Sequence, residues 1–256
     1  MNLKKIETMN LPYTAMFYCK PGVGKSTAIG LIAERSEGNT LVLDVDRTIS
    51  RTLAKKEIVK NFDRVLIEEI ENRGRIEKDG VVICPGTFAA WAVTLQEITP
   101  EFLKENNIKT IAVDNISELE RCILADLGAQ GKNKGVPAMA DYQYMQFKLV
   151  NSLRYMKSLG VNVIWTAWEV AEPFTYPDGT QYTRLMPKIS NKIVDNICGL
   201  CDVVGWIGVN KDGEHHILLD ATQNIYAKNQ IDARKSCKVE DFIVATKTQN
   251  KEVKKA

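Results

Sequence analysis

Ten residues constrain this chain more than any others: Tyr18-Cys19-Lys20-Pro21-Gly22-Val23-Gly24-Lys25-Ser26-Thr27. The apolar run Thr14 to Tyr18 before them reads as a buried strand. Lys25 to Glu34 after them reads as a helix, closed by Gly38-Asn39. A glycine turn between a strand and a helix start is an anion cradle. Gly22 and Gly24 let backbone N–H groups turn inward, and the helix aims its positive end at the same point. A lysine at the helix start reaches the β- and γ-phosphates of a nucleoside triphosphate, and the hydroxyl beside it ligates Mg²⁺. Pro21, Gly22, Val23, Gly24, Lys25, Ser26 and Thr27 are therefore expected to hold ATP, with Mg²⁺ on Ser26. The usual spacing is Gly-x-x-x-x-Gly-Lys-Ser/Thr, and here Cys19 stands at the first glycine. Cysteine is small and that position shapes the loop entry, so the cradle is expected to survive. A dinucleotide site is disfavoured, because the loop reads Gly-x-Gly-Lys-Ser rather than Gly-x-Gly-x-x-Gly.

The rest of the chain alternates apolar strands with amphipathic helices. Strands are expected at Thr40 to Asp44, Val65 to Ile70, Lys109 to Val113 and Val161 to Thr166, with a small one at Val81 to Cys84. Helices are expected at Ile49 to Val59, Thr87 to Ile98, Ser117 to Leu127, Met139 to Leu159 and Asn191 to Leu200. Asn72 to Gly80 is charged and turn-rich. Phe174 to Met186 reads as a hairpin around Pro177-Asp178-Gly179, and Asp202 to Val209 with His215 to Asp220 as another around Lys211-Asp212-Gly213. The fold class is α/β: a three-layer P-loop NTPase with a mostly parallel central sheet and a C-terminal antiparallel hairpin. One domain is expected over residues 13–240, after a polar lead-in at 1–12 and before a basic flexible tail at 241–256.

Composition narrows the setting. The 256 residues are 45% hydrophobic and 26% charged, ordinary for a globular chain with a sizeable core. The net charge of +2 leaves any nucleic-acid affinity to local clusters. Six scattered cysteines fit a reducing cytosol better than a disulfide framework. No apolar run approaches the ~20 residues a bilayer span needs, so a cytoplasmic protein with no membrane partner is expected.

Two carboxylates complete the phosphate site. Asp114 ends the strand Lys109 to Val113, where a Walker B aspartate holds Mg²⁺ through its water shell. The other use of such a residue is to cap the following helix. Asp46, in Leu43-Asp44-Val45-Asp46, lies at the C-terminal end of its strand, where open α/β sheets bind ligands. It either orients the attacking water or is a cap or loop acid, and Asp44 is the weaker alternative. The expected catalytic set is Lys25, Asp46 and Asp114.

The order of parts resembles the RecA-like ATPases, and most closely their core-only bacteriophage version, often labelled phage AAA-family ATPases. The P-loop is followed by a strand ending Asp44-Val45-Asp46, a strand ending at Asp114, and one ending Trp165-Thr166-Ala167-Trp168-Glu169. The resemblance spans roughly residues 12–236. It implies that Asp46 stands where relatives carry a catalytic glutamate, one methylene longer. It leaves the γ-phosphate sensor unassigned, with Trp168 at that position between Thr166 and Glu169. It also implies a Lys-x-Arg pair acting on a neighbouring subunit's ATP. Here Lys228 matches the lysine, Gln230 replaces the arginine, and Arg234 lies further on. A solvated basic turn is the alternative for Lys228.

The resemblance further implies single-stranded DNA as partner, bound by two loops, and a role in phage-type recombination or annealing. The loops match Gly128 to Pro137, with Lys132 and Lys134, and Glu172 to Asn191, with Phe174, Tyr176, Tyr182, Arg184 and Lys188. Basic residues neutralise phosphates and aromatic faces stack bases. Alternation along a strand puts Tyr182 and Arg184 on one face. The alternative is an exposed hairpin whose aromatics pack on the protein. A homo-oligomer, ring or filament, with ATP between subunits is implied, with a single-strand-binding protein as a further partner. The rival functions are another nucleic-acid motor or helicase-loading ATPase, and a nucleotide-switched interaction module without turnover. Cys198 and Cys201 form a lone Cys-x-x-Cys, expected to be buried helix cysteines rather than half a zinc site.

Overall fold

A computed structural model describes residues 12–55, 59–60, 62–70, 76–78, 81–83 and 86–242. Side chains are described for the same residues except 62, 76–78 and 81–83. The strands are β1 (Thr14–Cys19), β2 (Asn39–Asp44), β3 (Val65–Glu69), β4 (Ile76–Lys78), β5 (Val81–Ile83), β6 (Ile108–Asp114), β7 (Asn162–Thr175), β8 (Gln181–Pro187), β9 (Val203–Val209), β10 (His215–Leu218), β11 (Lys228–Asn229) and β12 (Ser236–Lys238). The helices are α1 (Lys25–Arg35), α2 (Ile49–Leu53), α3 (Thr87–Glu97), α4 (Pro100–Glu105), α5 (Ile116–Gln130), α6 (Met139–Ser158) and α7 (Val194–Leu200).

One sheet runs β12-β10-β9-β1-β7-β6-β2-β3, with β11 also on β9 and β8 on β7. From β9 to β3 every neighbour is parallel. The pairs β9–β10, β10–β12, β9–β11 and β7–β8 are antiparallel. The expected α/β class, mostly parallel with a C-terminal antiparallel edge, is what the chain forms. β4 and β5 pair separately.

Alternation along the strands divides the core. Met16 and Tyr18 point to one face, with Trp91, Leu119, Leu149 and Ile197 from α3, α5, α6 and α7. Ala15 and Phe17 point to the other, with Ile29 and Ile32 of α1 and Ile49 and Leu53 of α2. Helices on both faces make the three layers.

Several boundaries differ from sequence expectation. The helix expected over Ile49 to Val59 is only Ile49–Leu53, since this short turn already buries Ile49 and Leu53. α4 was not expected, although Thr99 accepts from the Phe102 N–H and Pro100 opens the helix. The strand expected to stop at Thr166 runs on to Thr175, because beyond the sheet it finds a new partner in β8. α7 begins at Val194 rather than Asn191. Phe242, beyond the domain limit expected at residue 240, is buried with rings edge-on to Tyr13 and Phe17 at 5.4 and 5.1 Å. The lead-in at 1–11 and the tail at 243–256 lie outside the described residues. Among those residues, no helix is long and apolar enough to cross a membrane.

The start of α3 has no side-chain cap of its own. Asp126, buried on α5, supplies one: its Oδ2 accepts from the Gly86 and Phe88 N–H groups at 3.2 and 2.7 Å. Two orphan helix donors are thereby satisfied from another helix. Asp126→Ala is expected to lower unfolding stability by about 2 kcal/mol, read from a urea titration. An unchanged midpoint would show that the bonds contribute nothing.

Candidate functional site

Parallel packing sets the ends of four strands side by side. Asp44 of β2 is level with Asp114 of β6. Val113 is level with Trp165 of β7, and Cys19 at the end of β1 with Trp168. The phosphate loop leaves β1 at this edge and turns into α1. Gly22 and Gly24 have φ of 80° and 122°, where a side chain is strained, so the glycines are required by the turn itself. Cys19 at the first glycine position is buried with ordinary strand geometry, and the loop forms around it.

Lys25 is buried, with Nζ 3.4 Å from the carbonyls of both Cys19 and Lys20. The ammonium group therefore lies curled over its own loop. The Ser26 hydroxyl donates to Asp114 Oδ2 at 2.7 Å. Thr166 Oγ1 lies 2.5 Å from the other carboxylate oxygen, Oδ1. Asp114 is 2% exposed and Thr166 fully buried. The helix, the Walker B strand and the neighbouring strand are thus tied at one carboxylate. The Asp114–Asn115 peptide is cis.

A cavity of about 310 Å³ opens over this point. Of the residues expected to bind phosphate, Pro21, Gly22, Gly24, Lys25, Ser26 and Thr27 line it, with Asp46, Asp114 and Trp168 facing them. Val23 does not line it: its side chain packs on the core beside α1, and its N–H donates to the Lys20 carbonyl at 3.3 Å. Thr48, Thr52 and Lys55 add a polar rim that sequence did not single out.

The two aspartates near the end of β2 separate in role. Asp44 is fully buried, and its Oδ2 accepts from the Ile49 N–H at 3.2 Å, at the start of α2. Asp46 lines the cavity, and its Oδ2 accepts from Asn115 Nδ2 at 2.6 Å. Asp46 Oδ1 is sealed and unpartnered. Burial, reinforced by the negative charges of Asp114, Glu118 and Asp44, pushes the Asp46 carboxyl up to about 7, with Lys25 opposing. Asn115 also accepts from the Glu118 N–H at 2.9 Å, capping α5. The helix-capping use considered for Asp114 therefore belongs to its neighbour. Neither Asn115 nor the Thr166–Asp114 contact was legible, because each depends on partners from other strands.

The donor set fits Mg²⁺ with a nucleoside triphosphate. A hydroxyl and a carboxylate oxygen stand together beside a lysine and a glycine loop, and a further carboxylate oxygen lacks any partner.

A family model described as an AAA domain matches residues 11–231. The chain belongs to the AAA domain family. Comparison with curated proteins finds no match. Among solved structures, a KaiC-like protein from the hyperthermophilic archaeon Pyrococcus horikoshii OT3 is similar with a TM-score of 0.44 and 12% identity, over 82% of this chain and 79% of that one. The chain is thus an AAA-type P-loop ATPase domain.

The other expected site residues of this AAA domain lie away from the cavity. Lys228 Nζ reaches the carbonyls of Cys198, Gly199 and Cys201 at 3.4, 3.1 and 2.6 Å. Within this chain it caps the C-terminus of α7, where a cation is favoured, rather than forming a solvated turn. Arg234 pairs with Asp232 at 2.7 Å and donates to the carbonyls of Asp241 and Phe242. Both cations are spent within their own chain.

Lys132 and Lys134 are exposed in the segment between α5 and α6. Tyr182 and Arg184 do share a face of the β7–β8 hairpin, with Phe174 and Tyr176. The rings pack edge-on, Phe174–Tyr176 at 5.0 Å and Tyr176–Tyr182 at 5.1 Å, and Arg184 stacks 3.9 Å from the Phe174 centroid. All four side chains are half-buried, so this face is partly packed on itself and partly open to solvent. Lys188 is exposed and lies 5.6 Å from the Trp168 ring, as does Arg121. Cys198 and Cys201 are buried free thiols, and no metal-binding group of three or more His, Cys, Asp or Glu exists among the described residues.

Two outcomes are expected. Asp46 has its carboxyl raised from 3.8 to about 7 in the fold, so the native state holds a proton that the unfolded chain releases. The stability this gives is present below about pH 4 and is lost as pH rises towards 7. Asp46→Asn should therefore raise the thermal midpoint of the nucleotide-free protein at neutral pH and not near pH 4; a pH-independent difference would remove this account. Lys228→Met should cost on the order of 1–2 kcal/mol in unfolding without nucleotide. Unaltered stability with ATPase lost only on assembly would restore the intersubunit role.

Proposed function

We propose that the protein hydrolyses ATP with Mg²⁺ and acts on single-stranded DNA, in recombination or annealing of the phage type. The observation that carries the ATPase reading is the Ser26 hydroxyl on Asp114, 2.7 Å apart, at the floor of the cavity that Lys25 and the glycine loop enclose. Lys25 must leave the Cys19 and Lys20 carbonyls to meet phosphate oxygens, which a triphosphate rewards with a stronger charge-assisted contact. The loop amides and the start of α1 hold the phosphate tail. Mg²⁺, when bound at Ser26 and Asp114, neutralises charge developing on the phosphates. Thr166 fixes the Asp114 carboxylate, and Asn115 fixes that of Asp46. Asp46 is the group placed to orient the attacking water, and it does so in its ionised form.

Trp168 supports the link to DNA. It lines the nucleotide cavity, and Lys188 and Arg121 lie over its ring. Its N–H donates to Ser117 Oγ at 2.9 Å and its carbonyl accepts from the Lys188 N–H at 2.7 Å. A change at the phosphate end is passed by this residue to the exposed Lys188 and to Arg121, which is paired with Glu118 at 3.0 Å. Lys132 and Lys134 are further exposed charge, on the segment between α5 and α6. The working form is a homo-oligomer, ring or filament, with ATP between subunits, and a single-strand-binding protein presents the DNA.

A second reading, a nucleotide switch without turnover, is favoured by one observation: an Asp46 carboxyl at about 7 is half protonated at neutral pH. Turnover assays separate the two. ATPase activity should rise with pH through 7, increase with single-stranded DNA, and vanish in Lys25→Ala. Lys132→Ala/Lys134→Ala should weaken DNA binding and lower its salt slope by roughly one per lysine removed. ATP bound without hydrolysis at any pH would leave the switch. Turnover indifferent to DNA would remove the DNA role.

A further inference from the structure

α2 is only five residues long, yet it presents two different faces. Ile49 and Leu53, one turn apart, are buried in the core cluster that also holds Ile29 and Ile32 of α1. Thr48, Thr52 and Lys55 recur at helical spacing, and all three line the nucleotide cavity. The turn reaches Lys55, whose N–H donates to the Thr52 carbonyl at 3.3 Å. One face is thus anchored, and the other is a polar stripe ending in an ammonium group. Lys55 is exposed, and among the described residues its side chain has no partner.

The described residues that line the cavity include two acids, Asp46 and Asp114, and two cations, Lys25 and Lys55. Lys25 belongs to the loop side, where its Nζ rests on the Cys19 and Lys20 carbonyls. Lys55 comes from the far wall. The sheet order β1-β7-β6-β2 puts the loop at one side, Asp114 on β6 beyond it, and β2 with α2 further out. Lys228 and Arg234 are engaged elsewhere in the chain. Among the described residues, the second cation at the phosphate tail is therefore Lys55.

The direction of the tail decides which phosphate Lys55 meets. A P-loop cradles the α- and β-phosphates, and its lysine reaches the β- and γ-phosphates. The β- and γ-oxygens share the metal, and Ser26 and Asp114 are the residues fitted to hold it. The last phosphate accordingly lies past Asp114, towards Asp46 and the α2 stripe. There it brings negative charge up to two carboxylates, and a cation on the same wall offsets the repulsion.

We propose that Lys55 selects a triphosphate over a diphosphate: its ammonium group binds the γ-phosphate within the same chain, with the Thr48 and Thr52 hydroxyls beside it. ADP lacks that phosphate and leaves Lys55 in solvent. Lys55 is thus a specificity residue, distinct from Lys25, which both nucleotides use. The inference rests on the loop being the ATP site, as proposed above.

The test is equilibrium binding of ADP and of the β,γ-imido analogue of ATP, each with Mg²⁺. The proteins are wild type, Lys25→Ala, Lys55→Met, Lys55→Arg and Arg51→Met, each with its nucleotide-free thermal midpoint. Lys55→Met should weaken the triphosphate by about tenfold and ADP by less than about twofold. Lys55→Arg keeps the charge and should hold both within about threefold. The midpoints should not move, since Lys55 is exposed. Arg51 is exposed on the same helix and does not line the cavity, so Arg51→Met should change neither affinity. Equal weakening of both nucleotides by Lys55→Met, or none, would overturn the role of Lys55 and leave the ATP site standing. Equal effects of Lys55→Met and Arg51→Met would do the same, by reducing the contact to diffuse charge. Wild type binding neither nucleotide better than Lys25→Ala would overturn the ATP site and this inference with it.

Discussion

One carboxylate organises the site. Asp114 spends one oxygen on the Ser26 hydroxyl and the other on Thr166. Three elements, α1, β6 and β7, are thereby fixed to a common point at the edge of the sheet. Both contacts are short, the one to Thr166 buried and the one to Ser26 part-buried, and hydrogen bonds to a carboxylate are stronger the less water reaches them. The cavity keeps its shape because its floor is tied in this way. The carboxylate is also held where a metal–water shell would need it.

The same burial has an electrostatic consequence. Asp44, Asp46 and Asp114 crowd the C-terminal ends of two adjacent strands, and Lys25 is the buried cation beside them. Burial raises the Asp44 carboxyl, and burial with the neighbouring negative charges raises that of Asp46 to about 7. Asp44 is relieved by backbone N–H groups at the start of α2, and one oxygen of each aspartate stays buried without a partner. Of the two, Asp46 is the one that lines the cavity. A carboxyl near 7 also makes the charge of the cavity wall depend on pH around neutrality.

The antiparallel edge does more than extend the sheet. Lys228 on β11 closes the end of α7, Arg234 ties the last turn to Asp232, and Phe242 seals the core beneath β1. These residues look like a basic surface in sequence, and their charges are in fact consumed in holding the C-terminal segment down. In the hairpin of β7 and β8 the rings pack edge-on and Arg184 stacks on Phe174, with its Nε buried and without a hydrogen-bond partner. Lys132, Lys134 and Lys188 remain as exposed charge.

The amino-acid sequence by itself determined the layered α/β class and the place of the phosphate loop. Both are written in local signals: apolar runs of strand length, glycines at a turn, and a lysine and a hydroxyl at the first turn of a helix. It also marked Asp114 and Asp46, because strand ends in a parallel sheet gather at one edge. Tertiary structure alone decided which aspartate faces the cavity, that Thr166 and Asn115 hold the carboxylates, and that Lys228 is a helix cap. Each of these is a pairing between residues distant in the chain. Side chains such as lysine, threonine and histidine have many possible partners, and only the packed sheet chooses among them.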